Sequence, residues 1–426
     1  MTEAILFISF AILLMLSVPV GIALGVATLL TIAFADVLSF EFLAQAMVTS
    51  IDSFPLMAVP FFIIAGEIMG RGGITERLFG VANSLVGNKT GGFAIATIVT
   101  ALFFAAISGS APATVAAIGG MMIPAMVSLG YDKRFATATV AAAGSLGVMI
   151  PPSIPMVMYG VTGSTSIGDL FIAGIFPGLI VATGLIAFAY YYSKKMGYRG
   201  TNNEPFSMKR FARECWHAKW ALLIPFIILG GIYGGIFTPT EAAVIAVVYG
   251  LIVSVFVYKE LPVSKLPSVL ASGSLTTATV LIVVGSATAF GQLLTREQVP
   301  TRIANWMVTI SENPVIIMLL IIVLLLIVGC FMDTLAAIII LTPLLLPVAM
   351  EFGYDPVHFG MVMIVTLAIG FITPPLGVNL FVSSGISGLP IMSIAKAVIP
   401  YFIAMIVALL IITFIPQISL YLPSFR

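Results

Sequence analysis

Long apolar stretches separated by short polar segments dominate this chain. A membrane-spanning helix needs about 20 consecutive apolar residues. Runs of this kind are Ala4–Ala35, Ile167–Tyr192, Ala221–Phe237, Ala242–Tyr258 and Ala395–Ile415. The pattern predicts an all-α integral membrane protein with nine full spans. The first run is predicted to be one span and not a cleaved signal peptide, because it is too long and no basic segment precedes it.

Composition supports this fold class. Of the 426 residues, 60% are hydrophobic and 8% are charged, whereas a soluble domain is about 25% charged. The net charge of +1 gives no reason to expect nucleic acid as a partner. The sequence has neither a G-x-x-x-x-G-K-[ST] phosphate loop nor an H-E-x-x-H pair, so ATP hydrolysis and a histidine-built metal site are not expected. Cys215 and Cys330 lie in different settings and are not expected to form a disulfide.

Charge along the chain predicts the topology. The segment 194–219 holds 7 of the 18 basic residues, and Lys and Arg mark cytoplasmic loops. Other residues predicted inside are Arg71, Arg77, Lys89, Lys133 and Arg134; those predicted outside are Asp36, Glu41, Asp52, Glu312, Glu351 and Asp355. Nine spans then give a cytoplasmic N-terminus and an external C-terminus. Arg296 and Arg302 fall outside and violate the charge rule.

The chain contains an internal repeat. An offset of 223 residues aligns identical residues in the two copies. It pairs Pro124 with Pro347, Gly130-Tyr131-Asp132 with Gly353-Tyr354-Asp355, Gly147 with Gly370, Pro151-Pro152 with Pro374-Pro375, and Pro177 with Pro400. An offset of 225 aligns Gly66, Arg71 and Arg77 with Gly291, Arg296 and Arg302. The flanks are basic in the first copy and acidic in the second, so the copies are predicted to enter the membrane from opposite faces. Inverted repeats are typical of secondary transporters.

Each copy also carries an apolar stripe with the spacing i, i+4, i+7, i+11, which is one face of a helix. The two stripes are Ile74, Leu78, Val81 and Leu85, and Val299, Ile303, Trp306 and Ile310. A helix lying on the membrane surface explains this pattern. An ordinary packed helix explains it as well.

Two apolar stretches in each copy are interrupted. Ser108–Pro112 and Phe331–Thr334 are predicted tips of re-entrant hairpins, and Gly144–Pro155 and Gly370–Asn379 are predicted breaks in spanning helices. A double proline removes two backbone donors and disfavours helix before it. Unwound carbonyls within the membrane can bind a cation such as Na⁺, and half-helix N-termini attract anions. The alternative for each break is a proline kink without a functional role.

Asp333 is the acid predicted to lie deepest in the membrane. It could ligate or support a cation, or cap the helix that starts at Thr334, and both roles are compatible. Glu67 is expected to pair with Arg71 four residues on. The four interrupted segments contain no Lys or Arg. An anionic substrate would therefore meet helix N-termini, hydroxyls and bound cations.

The motifs SGSAPAT, IPPS, MDT and ITPPLGVN resemble the large membrane subunit of tripartite ATP-independent periplasmic (TRAP) transporters, along essentially the whole chain. The sequence is most similar to the sialic-acid members, with C4-dicarboxylate members second. The resemblance implies an elevator-type Na⁺ symporter of the bacterial inner membrane. It implies a small four-helix membrane subunit and a periplasmic substrate-binding protein as partners. It also implies a scaffold of residues 1–90 and 194–310, and a transport domain of residues 91–193 and 311–426.

The resemblance further implies about two Na⁺ sites. The first would use Ser108, Gly109, Ser110, Gly147, Ile150 and Pro151; the second would use Gly329, Asp333, Gly370, Thr373 and Leu376. The substrate would lie near Ser110, Thr114, Asp333, Thr334 and Asn379. One alternative is a stand-alone anion symporter without a binding protein. An intramembrane enzyme using Ser110 is not expected, since no histidine or lysine lies near it in sequence.

Overall fold

The computed structural model describes residues 2–16, 18–35, 38–198, 200 and 206–425. In this part of the chain the architecture is helical, without strands. Among the described residues, seven helices are long and apolar enough to cross a membrane, or up to nine spans result if each of two bent pairs is one span. Helices of this number and composition fit an integral membrane protein.

The described residues up to position 200 form eleven α-helices. They are α1 (Thr2–Met15), α2 (Val20–Ala35), α3 (Phe40–Ile51), α4 (Ala58–Arg71), α5 (Ile74–Val86), α6 (Gly92–Ser108), α7 (Ala111–Ser128), α8 (Lys133–Gly144), α9 (Ile154–Thr162), α10 (Ile167–Ala173) and α11 (Ile175–Met196).

The described residues 206–425 form eleven more. They are α12 (Met208–His217), α13 (Lys219–Tyr233), α14 (Pro239–Leu251), α15 (Leu266–Arg296), α16 (Val299–Ile310), α17 (Pro314–Phe331), α18 (Thr334–Glu351), α19 (Pro356–Gly370), α20 (Val378–Ser387), α21 (Ile391–Phe414) and α22 (Gln417–Leu420). We call α6, α7 and the turn between them hairpin 1, and α17, α18 and the turn between them hairpin 2.

The run Ala4–Ala35 is two helices and not one span. Helices α1 and α2 pack against each other. Phe7 and Phe10 of α1 both contact the ring of Phe290 in α15. Pro19 stands directly before α2, where a proline ends one helix and allows the next to begin. The single-span prediction is wrong because hydropathy alone does not reveal a turn inside a continuous apolar run.

The open end of hairpin 1, where α6 begins and α7 ends, lies beside the start of α21. The amides of Gly91 and Asp132 donate to the carbonyl and the hydroxyl of Tyr198, at 3.2 and 3.0 Å. Asp132 and Lys396, in the second turn of α21, line one cavity. These contacts hold both ends of hairpin 1 at the same level.

The open end of hairpin 2 lies at the other end of α21. The Tyr354 hydroxyl donates to the carbonyl of Pro314 at 3.0 Å and closes this end. His358 Nε2 lies 3.2 Å from the carbonyl of Thr413, in the last turn of α21. Lys396 and Thr413 are 17 positions apart, which corresponds to about 25 Å of helix. The two hairpins therefore open toward opposite ends of the bundle.

The start of α1 lies at the same end as the open end of hairpin 2. Glu3 forms an ion pair with Arg302 of α16, and α16 leads directly into α17. Thr413, near the end of the chain, lies at this end as well. In this arrangement α1 starts at the end of the bundle where α21 ends, whereas the nine-span scheme expects the two ends of the chain on opposite faces of the membrane.

The two apolar stripes have different surroundings. In α5, which packs on α6, Ile74 and Leu78 are buried. In α16, Trp306 and Ile310 are exposed. The first stripe therefore belongs to an ordinary packed helix, whereas the outer half of the second faces outward.

Candidate functional site

Hairpin 1 turns at Gly109. This residue has a φ of +59°, the left-handed conformation that glycine adopts without a steric penalty, and it ends α6. Ser110 is extended and begins α7. Pro112 falls in the first turn of α7, where its missing N–H is not needed. The sequence thus places a sharp turn at this tip.

Oxygen atoms cluster at the tip of hairpin 1. The hydroxyls of Ser108 and Thr114 lie 2.9 Å apart, and the Thr114 hydroxyl donates to the Ser110 carbonyl at 2.8 Å. Ser108 Oγ is also 3.4 Å from that carbonyl. Ser108 and Thr114 are buried. Oxygens grouped in this way are the ligands that hard cations prefer.

The first break lies between α8 and α9 and we call residues 145–153 break 1. A 3₁₀ turn, Ser145–Val148, follows α8, and a cis Pro151–Pro152 bond precedes α9. The Ser153 hydroxyl donates to the Val148 carbonyl at 2.6 Å. The Ile154 amide donates to the Gly109 carbonyl of hairpin 1 at 3.2 Å. The hairpin tip and the break therefore satisfy each other's backbone groups.

Gly147 lies against the oxygen cluster. A Cβ added to it would lie 2.6 Å from Thr114 Oγ1 and 2.8 Å from the carbonyl carbon of Ser110. Ile150 and Pro151 are buried in the same break. The Ile150 side chain is directed at Gly178 of α11.

Hairpin 2 turns at Met332 and Asp333, which are both extended. The Asp333 carboxylate accepts the Leu335 amide at 2.9 Å, so it caps α18. The capping interpretation is confirmed. Asp333 is half-buried and Thr334 is buried. Because a protein carboxylate already occupies this helix N-terminus, α18 attracts an anionic substrate less strongly than an uncapped helix would.

The second break lies between α19 and α20 and we call residues 371–377 break 2. A Cβ added to Gly370 would lie 2.6 Å from the carbonyl carbon of Gly329, so the two backbones touch. The Leu376 amide donates to the Cys330 carbonyl at 3.0 Å. This bond joins break 2 to its hairpin, as the Ile154 amide does in break 1. The Thr373 hydroxyl donates to the Ile369 carbonyl at 2.9 Å.

The two breaks differ in exposure. Pro151, Pro152 and Ser153 are buried, whereas Pro375 and Leu376 are exposed. Break 2 is therefore the more open of the two.

Asn379 joins the two repeats. Its side-chain amide donates to the Ala141 carbonyl at 3.0 Å and to the Ser145 hydroxyl at 3.3 Å, both at the end of the first broken helix. Its backbone amide donates to the Phe371 carbonyl at 3.0 Å. Asn379 is fully buried, and Oδ1 has no hydrogen-bond partner among the residues that the structure describes.

The predicted residues fall into three groups. The first group, in hairpin 1 and break 1, is Ser108, Gly109, Ser110, Thr114 and Gly147. The second group, in hairpin 2 and break 2, is Gly329, Gly370 and Leu376, next to the turn that holds Asp333 and Thr334. The third is Asn379 alone, which lies between the two breaks. Sequence reasoning did not single out Ala141, Ser145 or the Cys330 carbonyl. Ser153 directly follows the double proline and could have been found as a cap.

Helices α4 and α15 contact the two hairpins at different heights, that is, at different distances from the hairpin tips along the bundle. A Cβ added to Gly66 of α4 would lie 3.3 Å from Cα of Ser108, at the tip of hairpin 1. The equivalent Gly291 of α15 instead faces Pro343, at 3.9 Å. Pro343 is ten to twelve residues beyond the tip Phe331–Asp333, or about 15 to 18 Å along α18. The two copies are therefore not in equivalent positions.

A family profile described as the tripartite ATP-independent periplasmic transporter, DctM component, matches residues 7–418. The chain is 52% identical over 417 residues to an isethionate TRAP transporter permease, DctMQ, of Oleidesulfovibrio alaskensis, covering 98% of this chain and 66% of that protein. It is 41% identical over 402 residues to the C4-dicarboxylate large permease DctM of Pseudomonas aeruginosa, covering 94% of each. It is 39% identical over 416 residues to the sialic acid large permease SiaM of Vibrio cholerae, covering 97% and 96%.

Two solved structures have a similar fold. The YdaH transporter of Alcanivorax borkumensis matches with a TM-score of 0.59 at 15% identity, covering 90% of this chain and 89% of that one. MtrF of Neisseria gonorrhoeae matches with a TM-score of 0.60 at 12% identity, covering 89% and 83%. At this identity the likeness concerns the fold alone.

Proposed function

This chain belongs to the tripartite ATP-independent periplasmic transporter family as a large membrane subunit, the DctM component, and from that premise we propose that it takes up a small organic anion across the bacterial inner membrane, driven by Na⁺. Its relatives are transporter permeases and not enzymes. Large subunits of this family work with a small membrane subunit and a periplasmic binding protein. We propose both as partners here.

The proposed mechanism rests on one observation: α4 contacts hairpin 1 at its tip, whereas α15 contacts hairpin 2 farther from its tip. Inverted-repeat transporters alternate between two mirror-related states. In the mirror of the present state, Gly291 would face the tip of hairpin 2, and Gly66 would face α7 near Ile118–Gly120. The exchange moves hairpins and broken helices by about 15 Å along the bundle. This is an elevator movement of α6–α11 and α17–α21 against a scaffold built from α1–α5 and α12–α16.

Two Na⁺ ions are proposed to travel with the substrate. The first site is supported by the oxygens of Ser108, Ser110 and Thr114. Gly147 packs directly against these oxygens. Carbonyls where Gly329 meets Gly370 support the second, with the Asp333 carboxylate contributing negative charge from the adjacent turn. Oxygen ligands alone suit a hard monovalent cation.

The anion is proposed to lie where α7 and α20 begin. Helices α9 and α18 have side-chain caps from Ser153 and Asp333, whereas α7 and α20 have no side-chain cap from any described residue. A Cβ added to Gly144 would lie 3.3 Å from Asn379 Nδ2 and 3.4 Å from the Ala111 carbonyl, so the two N-termini converge. Uncapped N-termini attract anions.

The relatives support a small substrate. The isethionate permease has 52% identity to this chain, against 41% for the dicarboxylate permease and 39% for the sialic acid permease. We therefore propose isethionate or a related short sulfonate first and a C4-dicarboxylate second. Sialic acid, which the overall resemblance of the sequence favoured, is the third substrate to test.

Both described ends of the chain are proposed to be periplasmic. The acids Glu312 and Glu351 flank hairpin 2, whereas Lys89 and Lys133 flank hairpin 1, and positive residues favour the cytoplasmic side. Glu3 pairs with Arg302 at the hairpin 2 end. This orientation replaces the cytoplasmic N-terminus of the nine-span scheme.

Uptake into proteoliposomes tests the proposal. The vesicles would hold this subunit and the small membrane subunit, with the binding protein outside and labelled isethionate, succinate or sialic acid supplied in turn. We expect one anion to accumulate only with an inward Na⁺ gradient and the binding protein. Accumulation without Na⁺ would contradict the coupling. Equal uptake without the binding protein would favour the stand-alone symporter.

A further inference from the structure

Arg296 is a basic residue at the end of the bundle that carries the acidic flanks, and none of the proposed machinery uses it. It borders a cavity of about 650 Å³ between α3, α9, α15 and α18. Polar side chains on its walls are those of Ser50, Thr162, Thr288, Gln292, Thr295 and Arg296. The cavity thus lies between the proposed scaffold and the proposed moving unit.

The repeat shows what is unusual about Arg296. Its counterpart Arg71 pairs with Glu67, one helical turn earlier, at 3.0 Å. The position equivalent to Glu67 is Gln292, so the second copy has lost the carboxylate and kept the arginine. Arg296 is exposed and makes no ion pair with any residue that the structure describes.

The charge of Arg296 therefore acts on the cavity. Glu297, the next residue, does not line it, and Arg302 is paired with Glu3. A guanidinium binds carboxylate and sulfonate oxygens through a planar pair of N–H groups. A positive residue in a cleft also raises the local concentration of anions.

We propose that Arg296, with Gln292 and Thr295, forms an external site that receives an organic carboxylate or sulfonate before it reaches the hairpin tips. This inference rests on the proposed uptake function. In the mirror state, the tip of hairpin 2 would lie against Gly291, five residues or about 7.5 Å from Arg296. The site is then adjacent to the tip at the moment when the tip accepts substrate.

Uptake kinetics test the site in the complete three-component system. Arg296→Gln is expected to raise the KM for the anion about tenfold and to weaken its dependence on ionic strength, as loss of a steering charge does. Gln292→Glu rebuilds the pair of the first copy and is expected to raise KM similarly with the arginine still present. Arg302→Gln removes the same charge from the same end, but from a paired residue, and is expected to leave KM unchanged.

A second measurement does not depend on transport. Thr295→Cys is modified with a sulfonate-bearing and with an ammonium-bearing thiosulfonate reagent, and the rates are compared with those of the protein lacking this cysteine. We expect the anionic reagent to react faster, and Arg296→Gln or Gln292→Glu to remove the preference.

The outcomes separate the two proposals. Unchanged KM and unchanged reagent preference in both variants, with Na⁺-driven uptake intact, would overturn the external site and leave the proposed function standing. A reagent preference without Na⁺-driven uptake of any anion would count against the proposed function instead. A KM effect that vanishes when anionic lipids are replaced by phosphatidylcholine would assign Arg296 to a lipid headgroup and overturn the site.

Discussion

Replacing Gly370 with alanine tests the contact between α19 and hairpin 2. The added Cβ would lie 2.6 Å from the carbonyl carbon and 2.8 Å from Cα of Gly329. A Cβ requires at least 3.0 Å from such atoms, so the two backbones must separate by at least about 0.4 Å. Both neighbours are main-chain atoms, so no side chain can rotate away to make room.

The expected consequence is weaker Na⁺ binding at the proposed second site. Metal sites tolerate distance errors of about 0.2 Å, which is less than this separation. Overpacking a well-packed contact costs about 1 to 3 kcal/mol, and about 1.4 kcal/mol is a factor of ten in affinity. We therefore expect the Na⁺ concentration for half-maximal uptake to rise about tenfold or more.

The assay is a Na⁺ titration of substrate uptake in proteoliposomes, normalised to the amount of inserted protein. Gly385→Ala is the matched control, because a Cβ there meets no atom of the described residues within 4 Å and alanine is favoured over glycine in a helix by about 0.5 to 1 kcal/mol. Wild-type Na⁺ dependence in Gly370→Ala would show that the close contact between the two backbones has no bearing on the ion.

Three further variants probe other parts of the site. Asp333→Asn can still accept the Leu335 amide but removes the charge, so we expect ordinary thermal stability with a shifted Na⁺ titration; an unchanged titration would remove the carboxylate from the mechanism. Asn379→Ala loses the bonds to Ala141 and Ser145 and should lower the free energy of unfolding by about 1 to 3 kcal/mol, measured by thermal unfolding in detergent. Replacing Pro374 and Pro375 with alanine allows helix to form across break 2, and we expect uptake to fall more than tenfold while membrane insertion is retained; wild-type uptake would make the break irrelevant.

The hairpin tips and breaks could be predicted from sequence because their causes are local. Gly109 supplies a left-handed residue, and Pro151-Pro152 and Pro374-Pro375 interrupt α-helix where they stand. Asp333 could be predicted as a cap for the same reason, since an acid directly before a helix accepts its free amides.

Other features depend on partners that are distant in sequence. The side chain of Asn379 bonds to Ala141, 238 residues away, and no spacing rule indicates that pair. The stripes of α5 and α16 have the same period but different burial, because burial depends on what packs against each helix. Likewise, the repeat predicts equivalent contacts for Gly66 and Gly291, and only the structure reveals the difference in height.

Crosslinking between α15 and hairpin 2 is the most direct test of alternation between mirror states. Cysteine pairs would be introduced at Gly291 with Pro343, and at Gly291 with Met332, in a transporting background where Cys215 and Cys330 are replaced. A disulfide forms when the Cα atoms come within about 4.4 to 6.8 Å, so each pair reports one height of hairpin 2. Alternation between the mirror states predicts that both pairs form during transport, with Na⁺ and substrate changing their ratio. Formation of the Gly291–Pro343 pair alone, under conditions in which the protein transports, would contradict it.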